Sequence, residues 1–340
     1  MRNYFAWAFF GLAVLLSGLT LVSLIESDAW WIRLFDYTRL HSLFLIAVVA
    51  MGCLVCVRRT RAALLVMLGM AAAVQSWRIY PYFGFAPTEM AIASATSPET
   101  SCFTVLGLNV LQRNHDHAAT LRLIERVGPD ILFLMETDAR WMAALAPAFK
   151  NYPHRLLRPL DNTYGLAFAS RLPVKWVVTK NVTDQETPTV YARLATRDGR
   201  EFNLIGLHPR PPLPGQNTTL RDRKIGLAAK AVDGEGLPVL AMGDFNDVPW
   251  SRTTQTFKMI GGFRDPRIGR GNFATFPSNY VAVGWPLDQL FLTPEFTFRS
   301  LRIGASVGSD HRPLVAEVCL APPTDQGDKT PNEGPVDDRE

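Results

Sequence analysis

The chain has 340 residues, enough for one or two domains with a large core. It is 48% hydrophobic, with a mean hydropathy of +0.06, which is high for a purely soluble enzyme. Its net charge of +4 suits an anionic substrate but is too mild to establish nucleic-acid binding.

The apolar excess lies at the N-terminus. Asn3 to Ile25 carries no charge, and Leu40 to Val57 is a second uncharged run in which only His41 titrates. Ala62 to Trp77 is a third, followed by Arg78 and flanked by Trp77, Tyr80, Tyr82 and Phe83 in the manner of an interfacial aromatic belt. One such run would read as a buried core helix. Three in succession predict transmembrane helices over about 4–25, 40–57 and 62–80, so the lipid bilayer is an expected partner. The first run exceeds a normal signal-peptide core, and two more follow it. Arg58, Arg59 and Arg61 place the link between the second and third runs in the cytoplasm by the positive-inside rule, and Arg2 agrees. The loop from Glu26 to Arg39 then lies outside. So does everything after Arg78, on the periplasmic or extracytoplasmic side of a bacterial cell membrane.

Residues 81–101 are rich in Pro, Ala, Ser and Thr and read as a linker. A folded domain is expected over 102–320, with 26 basic and 20 acidic residues and hence a balance of +6. Its predicted strands are Phe103–Val110, Asp130–Met135, Tyr164–Ser170, Val174–Thr179, Thr189–Ala195, Glu201–Leu207, a run from Leu237, Leu287–Leu292 and Arg312–Leu320. Helices are expected from Asp116 to Val127, from Thr137 or Asp138 to Phe149, and from about Thr218 to Val232. Strands in runs with helices between them predict an α+β sandwich rather than a strict βαβ series. Residues 321–340 hold six acids and two bases among Pro and Gly and read as a disordered tail.

Polar groups recur at the ends of the apolar strands: Asn109, Glu136, His208, Asp244 with Asn246, Asp288, and Asp310 with His311. Any one of them is an ordinary turn or cap residue; Asp244-x-Asn246 in isolation is as well read as a turn. Six strand ends in series form a different pattern. Oxygen ligands suit a hard cation, Mg²⁺ or Mn²⁺, and two histidines among carboxylates can hold a phosphoryl group.

The series Leu108-Asn109-Val110, Met135-Glu136-Thr137, Gly206-Leu207-His208, Gly243-Asp244-Phe245-Asn246, Leu287-Asp288-Gln289 and Ser309-Asp310-His311 resembles the endonuclease/exonuclease/phosphatase superfamily, in the family's order and over roughly 102–320. The resemblance implies a DNase I-like two-layer β-sandwich flanked by helices, here preceded by the three transmembrane helices. It implies that Glu136 holds the metal with Asn109 and Asp310 beside it. It implies that Asp244 handles the attacking water, that Asn246 contacts phosphate or metal, that His311 and His208 contact phosphate, and that Asp288 orients His311. The implied activity is metal-dependent phosphoester hydrolysis. A nuclease and a phospholipid phosphodiesterase are the rival substrate readings, and a non-catalytic membrane receptor with the same fold is the alternative of another class. For the mid-chain tyrosine of some branches Tyr164 is the candidate, with a core aromatic as the favoured reading of it. Asn114, Arg210 and Arg223 read as solvated surface, and His115, His117 and His154 as surface histidines.

If Asn109 and Asp310 share a metal, as the resemblance implies, the first and last strands run antiparallel away from one site. Cys102 and Cys319 then meet at the far end, either as a disulfide or as two unpaired buried cysteines.

Overall fold

The computed structural model describes residues 2–94, 97–183, 186–230 and 236–321. Residues 231–232, the expected end of one helix, and the tail beyond Ala321 lie outside these.

The chain begins with α1 (Arg2–Val22), α2 (Trp30–Tyr37), α3 (Arg39–Cys56) and α4 (Arg61–Ile79). Of these, α1, α3 and α4 are long and apolar enough to cross a membrane. They form an up-down-up bundle. At one end Gly52 of α3 lies against the Phe9 ring of α1, where a Cβ would collide with it. At the other end Gln75 of α4 donates to Thr20 Oγ1 of α1 (3.2 Å) and accepts from Arg39 Nη1 of α3 (3.0 Å). The outer faces leave Phe44, Val55 and Met70 exposed.

The expected outer loop from Glu26 to Arg39 contains a helix instead. Its mixed charge masks the helix in the sequence, because the charged side chains are the buried ones. Ile32, Arg33 and Asp36 of α2 face inward, and the charges are paired, as buried charges must be.

The remaining elements are β1 (Cys102–Asn109), α5 (His117–Val127), β2 (Ile131–Met135), α6 (Ala139–Ala144), α7 (Ala146–Phe149), β3 (His154–Arg158), β4 (Leu166–Ser170), β5 (Val174–Lys180), β6 (Thr189–Ala195), β7 (Glu201–Leu207), α8 (Thr219–Lys230), β8 (Val239–Asp244), α9 (Arg252–Ile260), β9 (Asp288–Leu292), β10 (Phe296–Ile303) and β11 (Leu314–Leu320). They build two mixed sheets, ordered β10-β11-β1-β2-β4-β3 and β5-β6-β7-β8-β9. Val105, Phe133 and Phe168 of the first sheet pack against Val190, Leu204, Leu240 and Met242 of the second. Helices α5 to α7 cover the first sheet's outer face through Ile124, Trp141 and Phe149. Helices α8 and α9 cover the second through Ile225 and Phe257. This is the DNase I-like fold expected from the sequence.

Besides α2, the elements β3, β10 and α9 were not expected. β3 is a largely exposed edge strand of mixed polarity in which only Leu156 packs on the core. β10 alternates, but a register shift between Phe298 and Ser300 breaks its period. The Ser251 hydroxyl caps α9 by accepting from Thr254 N (3.1 Å), yet two adjacent threonines, poor helix formers, obscure it.

Strand direction places the polar ends together. β1 and β2 run parallel, as do β7 and β8, while β11 and β9 run antiparallel to β1 and β8. The C-terminal ends of four strands and the N-terminal ends of two therefore share one edge of the sandwich. At the opposite edge Cys102 pairs in register with Cys319. The two form a disulfide with a Cα separation of 4.0 Å, far inside the 7 Å limit.

The segment after α4 is laid along the domain. Gly269 N donates to Pro81 O (2.8 Å) and Ala93 N to Phe298 O (2.8 Å). Lys258 pairs with Glu89 at 2.9 Å, and Met90 enters the core.

Candidate active site

Tight turns build the site. Gly243 has φ +141°, and a Cβ there would lie 1.9 Å from Leu207 O, so β8 can approach β7 only without a side chain. Glu136 (φ +61°) occupies left-handed backbone that such a residue rarely adopts, and Asn246 (φ +47°) shares that region, which Asn tolerates better. Strained turns of this kind persist where surrounding structure over-determines them, and they concentrate at functional sites.

The side chains meet across the two sheets. Asn109 Nδ2 donates to Glu136 Oε1 (2.9 Å) and to Asp244 Oδ2 (3.0 Å), joining β1 to β8. Glu136 Oε2 accepts from Gln112 N (3.1 Å). Asp244 Oδ2 also faces two imidazoles, His208 Nε2 at 3.7 Å and His311 Nε2 at 3.5 Å. Both gaps exceed a hydrogen bond. His311 Nδ1 lies 2.8 Å from Asp288 Oδ2, a contact that orients the ring and leaves Nε2 toward Asp244. Asn246 N donates to Asp244 Oδ1 (2.8 Å), and its Nδ2 donates to Pro209 O (3.0 Å), tying down the loop after His208.

Asp310 stands at the edge. Its backbone carbonyl accepts from Ser278 N (2.7 Å), and its negative charge reaches Glu136. All eight residues singled out in the sequence are thus gathered at one edge, seven by direct contact and Asp310 by proximity.

The electrostatics divide the two histidines. Burial disfavours a charge on either. At His208 burial wins over the attraction of Asp244, and its pKa is lowered to about 4. At His311 burial is outweighed by the charges of Asp288 and Asp244 and the bond to Asp288, and its pKa is raised to about 10. One imidazole is therefore neutral and the other cationic at neutral pH. Burial pushes Glu136 up, and the charges of Asp244 and Asp310 add to this against the hydrogen bonds from Asn109 and Gln112.

Among the described residues no three His, Cys, Asp or Glu side chains form a cage for a metal ion. The donor set nonetheless fits Mg²⁺, which binds through one or two carboxylates and keeps its waters. Glu136 supplies the carboxylate, Asn109 the amide oxygen after a rotation of its carboxamide, and Asp310 a second carboxylate. The like charges of Asp244 and Asp310 acting on Glu136 are what a bound cation would neutralise.

Several neighbours depart from the sequence expectation. Tyr164 is not a core residue: its ring lies 5.3 Å from His208, with Arg210 over it at 5.6 Å. Arg210 is correspondingly half-buried rather than solvated. Asn114 is buried and donates to Val110 O and Val307 O. His115 and Arg223 are exposed, and His154 is half-buried on β3. His117 packs edge-on against Trp141 (4.4 Å).

The loop carrying Asn246 has a buttress that spacing in sequence could not reveal. Asn246 O accepts from Tyr37 Oη of α2 (2.5 Å) and from Arg221 Nη1 of α8 (3.2 Å). The next residue, Asp247, is buried between Arg33 of α2 (3.2 Å) and Arg221 (3.3 Å). Arg33 in turn pairs with Asp36, which also takes Arg39 at the head of α3. Trp250 Nε1 donates to Asp36 O (2.7 Å) and Trp285 Nε1 to Tyr37 O (2.5 Å). The apolar bundle and the strand-end site are joined through this seam.

A profile of the group described as the Endonuclease/Exonuclease/phosphatase family matches residues 105–311. No curated protein matches the chain at a significant level. Among solved structures, Danio rerio TDP2 complexed with a single-strand DNA product is similar at 16% identity and TM-score 0.54, over 64% of this chain and 99% of that one. A mannosyl-6-phosphatase of Bacteroides thetaiotaomicron is similar at 18% identity and TM-score 0.52, over 64% and 100%. The human Nocturnin catalytic domain with bound sulfate is similar at 16% identity and TM-score 0.54, over 66% and 96%. At these identities the likeness establishes the fold alone.

Proposed function

The chain belongs to the endonuclease/exonuclease/phosphatase family, and from that premise we propose that it is a membrane-tethered, Mg²⁺- or Mn²⁺-dependent phosphoesterase acting outside the cytoplasm. The observation that carries this reading is the position of Asp244, held by Asn109 and facing the Nε2 atoms of a neutral His208 and a cationic His311.

Asp244 accepts a proton from water as the water oxygen bonds to phosphorus. The opposite P–O ester bond breaks, and the leaving oxygen takes its proton from solvent. His311, kept charged by Asp288, stabilises the negative charge that develops on the phosphoryl oxygens, and His208 donates a neutral hydrogen bond to them. Asn246 fixes the turn that holds Asp244. A divalent ion at Glu136, Asn109 and Asp310 would supply charge neutralisation at the phosphoryl oxygens. The tether rests on α1, α3 and α4, and its orientation on Arg58, Arg59 and Arg61. The Cys102–Cys319 disulfide supports an oxidising compartment.

The test is hydrolysis of a soluble phosphodiester, bis(p-nitrophenyl) phosphate, by the full chain in detergent with Mg²⁺ or Mn²⁺. Asp244→Ala and treatment with EDTA are each expected to abolish it. Turnover that survives both would refute the reading, and a biological phenotype indifferent to Asp244→Ala would favour a receptor with this fold.

A further inference from the structure

A polar pocket of about 80 Å³ lies where the bundle meets the domain, several times the space that one water needs. Ser23 and Ser27 follow α1, Arg33 belongs to α2, Arg39 opens α3, Arg78 is in the last turn of α4 and Arg252 opens α9; all six line the pocket. It therefore sits at the end of the bundle opposite Arg58, Arg59 and Arg61, beside the catalytic domain.

Four arginines meet two acids in the lining, Asp36 and Glu26. Asp36 is shared between Arg33 (3.2 Å) and Arg39 (2.6 Å), and Glu26 stands 3.9 Å from Arg252 with its side chain 82% exposed. Outside the lining, Asp28 pairs with Arg252 (2.7 Å), and Asp247 divides its charge between Arg33 and Arg221. Arg78 has neither an ion pair nor a hydrogen bond among the described residues. Its half-buried guanidinium lies over the Trp77 ring at 5.2 Å. The Nε atoms of Arg33, Arg39 and Arg78 are all buried without a partner. These atoms are walled in and bind nothing from the pocket directly; they record arginines that are short of negative partners. The dipole at the end of α4 offsets part of the Arg78 charge, yet no acceptor reaches its donors. Ser27 Oγ accepts from Ala29 N (3.1 Å), which leaves its hydrogen to donate.

We propose that this pocket binds a phosphoryl anion, the phosphate of a lipid headgroup or inorganic phosphate, with Arg78 as its main partner and Ser27 and Arg252 beside it. A guanidinium matches two oxygens of such an anion at once. Trp77, 70% exposed, marks the pocket's depth as the interface of the tethered protein, where lipid phosphates lie. The occupant supplies Arg78 with the countercharge it lacks. It also adds negative charge beside Arg33 and Arg39, the residues that hold α2 between α3 and Asp247. No bond is made or broken there, and the pocket shares no residue with the strand-end site. The proposal is independent of the phosphoesterase reading; only the lipid source of the anion depends on the tether.

The experiment is thermal unfolding of the full chain in an uncharged detergent at constant ionic strength, with EDTA to keep hydrolysis out of the readout. Inorganic phosphate and phosphatidylglycerol are added in separate arms, and diacylglycerol, which has the acyl chains without the phosphate, is the control. A ligand at about 100 times its Kd should raise Tm by about 5 °C. The shift should vanish in Arg78→Gln, which breaks no ion pair, and return in part in Arg78→Lys. Ser27→Ala, which keeps every arginine, should reduce it. His311→Gln, which weakens any phosphate held at the strand ends, should leave it unchanged. A shift from phosphatidylglycerol alone supports the site with a lipid as its source, and one from inorganic phosphate alone supports it with a free anion. No shift in either arm, an equal shift from diacylglycerol, or a shift that survives Arg78→Gln but not His311→Gln would overturn the site. Each of these outcomes leaves the phosphoesterase reading to the soluble-ester assay.

Discussion

Replacing Asp247 by Asn removes one negative charge from the seam while keeping the side chain's shape. The carboxylate is 1% exposed. It faces Arg33 Nη2 and Arg221 Nη2 and accepts from Ser251 Oγ (2.8 Å) and Val248 N (2.9 Å). Removing one partner of a buried ion pair costs about 3–5 kcal/mol, because the other charge is left uncompensated. Arg33 retains Asp36 and Arg221 retains Asp222, so the lower end, about 3 kcal/mol, applies. In a domain of this size that corresponds to a fall in Tm of roughly 6–12 °C. The assay is thermal unfolding of the full chain in detergent, followed by tryptophan fluorescence, to which Trp250 and Trp285 at the seam contribute. Arg33→Met in the Asp247→Asn background should cost less than the two single changes added together, since the pair is coupled. A Tm for Asp247→Asn within about 2 °C of the parent, or strict additivity in the double variant, would refute the claim that this charge holds α2 to the Asn246 loop.

Lys224 provides a pH-dependent counterpart. Burial, helped by Arg210, lowers its pKa from 10.5 to about 7, and its amine donates to Thr187 O. The folded state binds fewer protons than the unfolded state between about pH 7 and 10.5, so stability rises with pH across that window. The penalty is complete below about pH 7, at most about 5 kcal/mol. Lys224→Met should therefore stabilise the protein relative to the parent at about pH 6, with the gain shrinking by about pH 9; an equal difference in denaturant midpoints at both would contradict this. The Cys102–Cys319 disulfide closes a separation of 217 residues. In the chain-entropy account its reduction should cost about 5 kcal/mol, measured as a lower Tm with reductant and reproduced by Cys102→Ser/Cys319→Ser. Alkaline phosphatase fused after Arg78 should be active if that position lies outside the cytoplasm; an inactive fusion would reverse the topology.

The sequence carried the fold because its signals are local and periodic. Apolar runs of membrane length, buried strands such as Ile131–Met135, the Asp116 cap and the Gly128 stop each state their element within a few residues. The site was legible for a related reason: its ligand-type residues sit at strand ends, and the order of those ends is fixed along the chain. The meeting of Cys102 and Cys319 also followed once β1 and β11 were taken as antiparallel neighbours, and the structure decided between the two open outcomes in favour of the disulfide.

What the sequence did not show depends on contacts between distant segments. The charges of Arg33 and Asp36 resemble a solvated loop until Asp247, some two hundred positions away, turns them into a buried network. Tyr164 reads as core until His208 and Arg210 are placed beside its ring. His208 and His311 are the same residue type, and only burial and the position of Asp288 make one neutral and the other cationic. The aromatic seam of Tyr37, Tyr82, Trp250 and Trp285 does not exist in any single stretch. It forms where the ends of two apolar helices meet a loop of the sandwich, because the tertiary fold alone decides which surfaces leave water together.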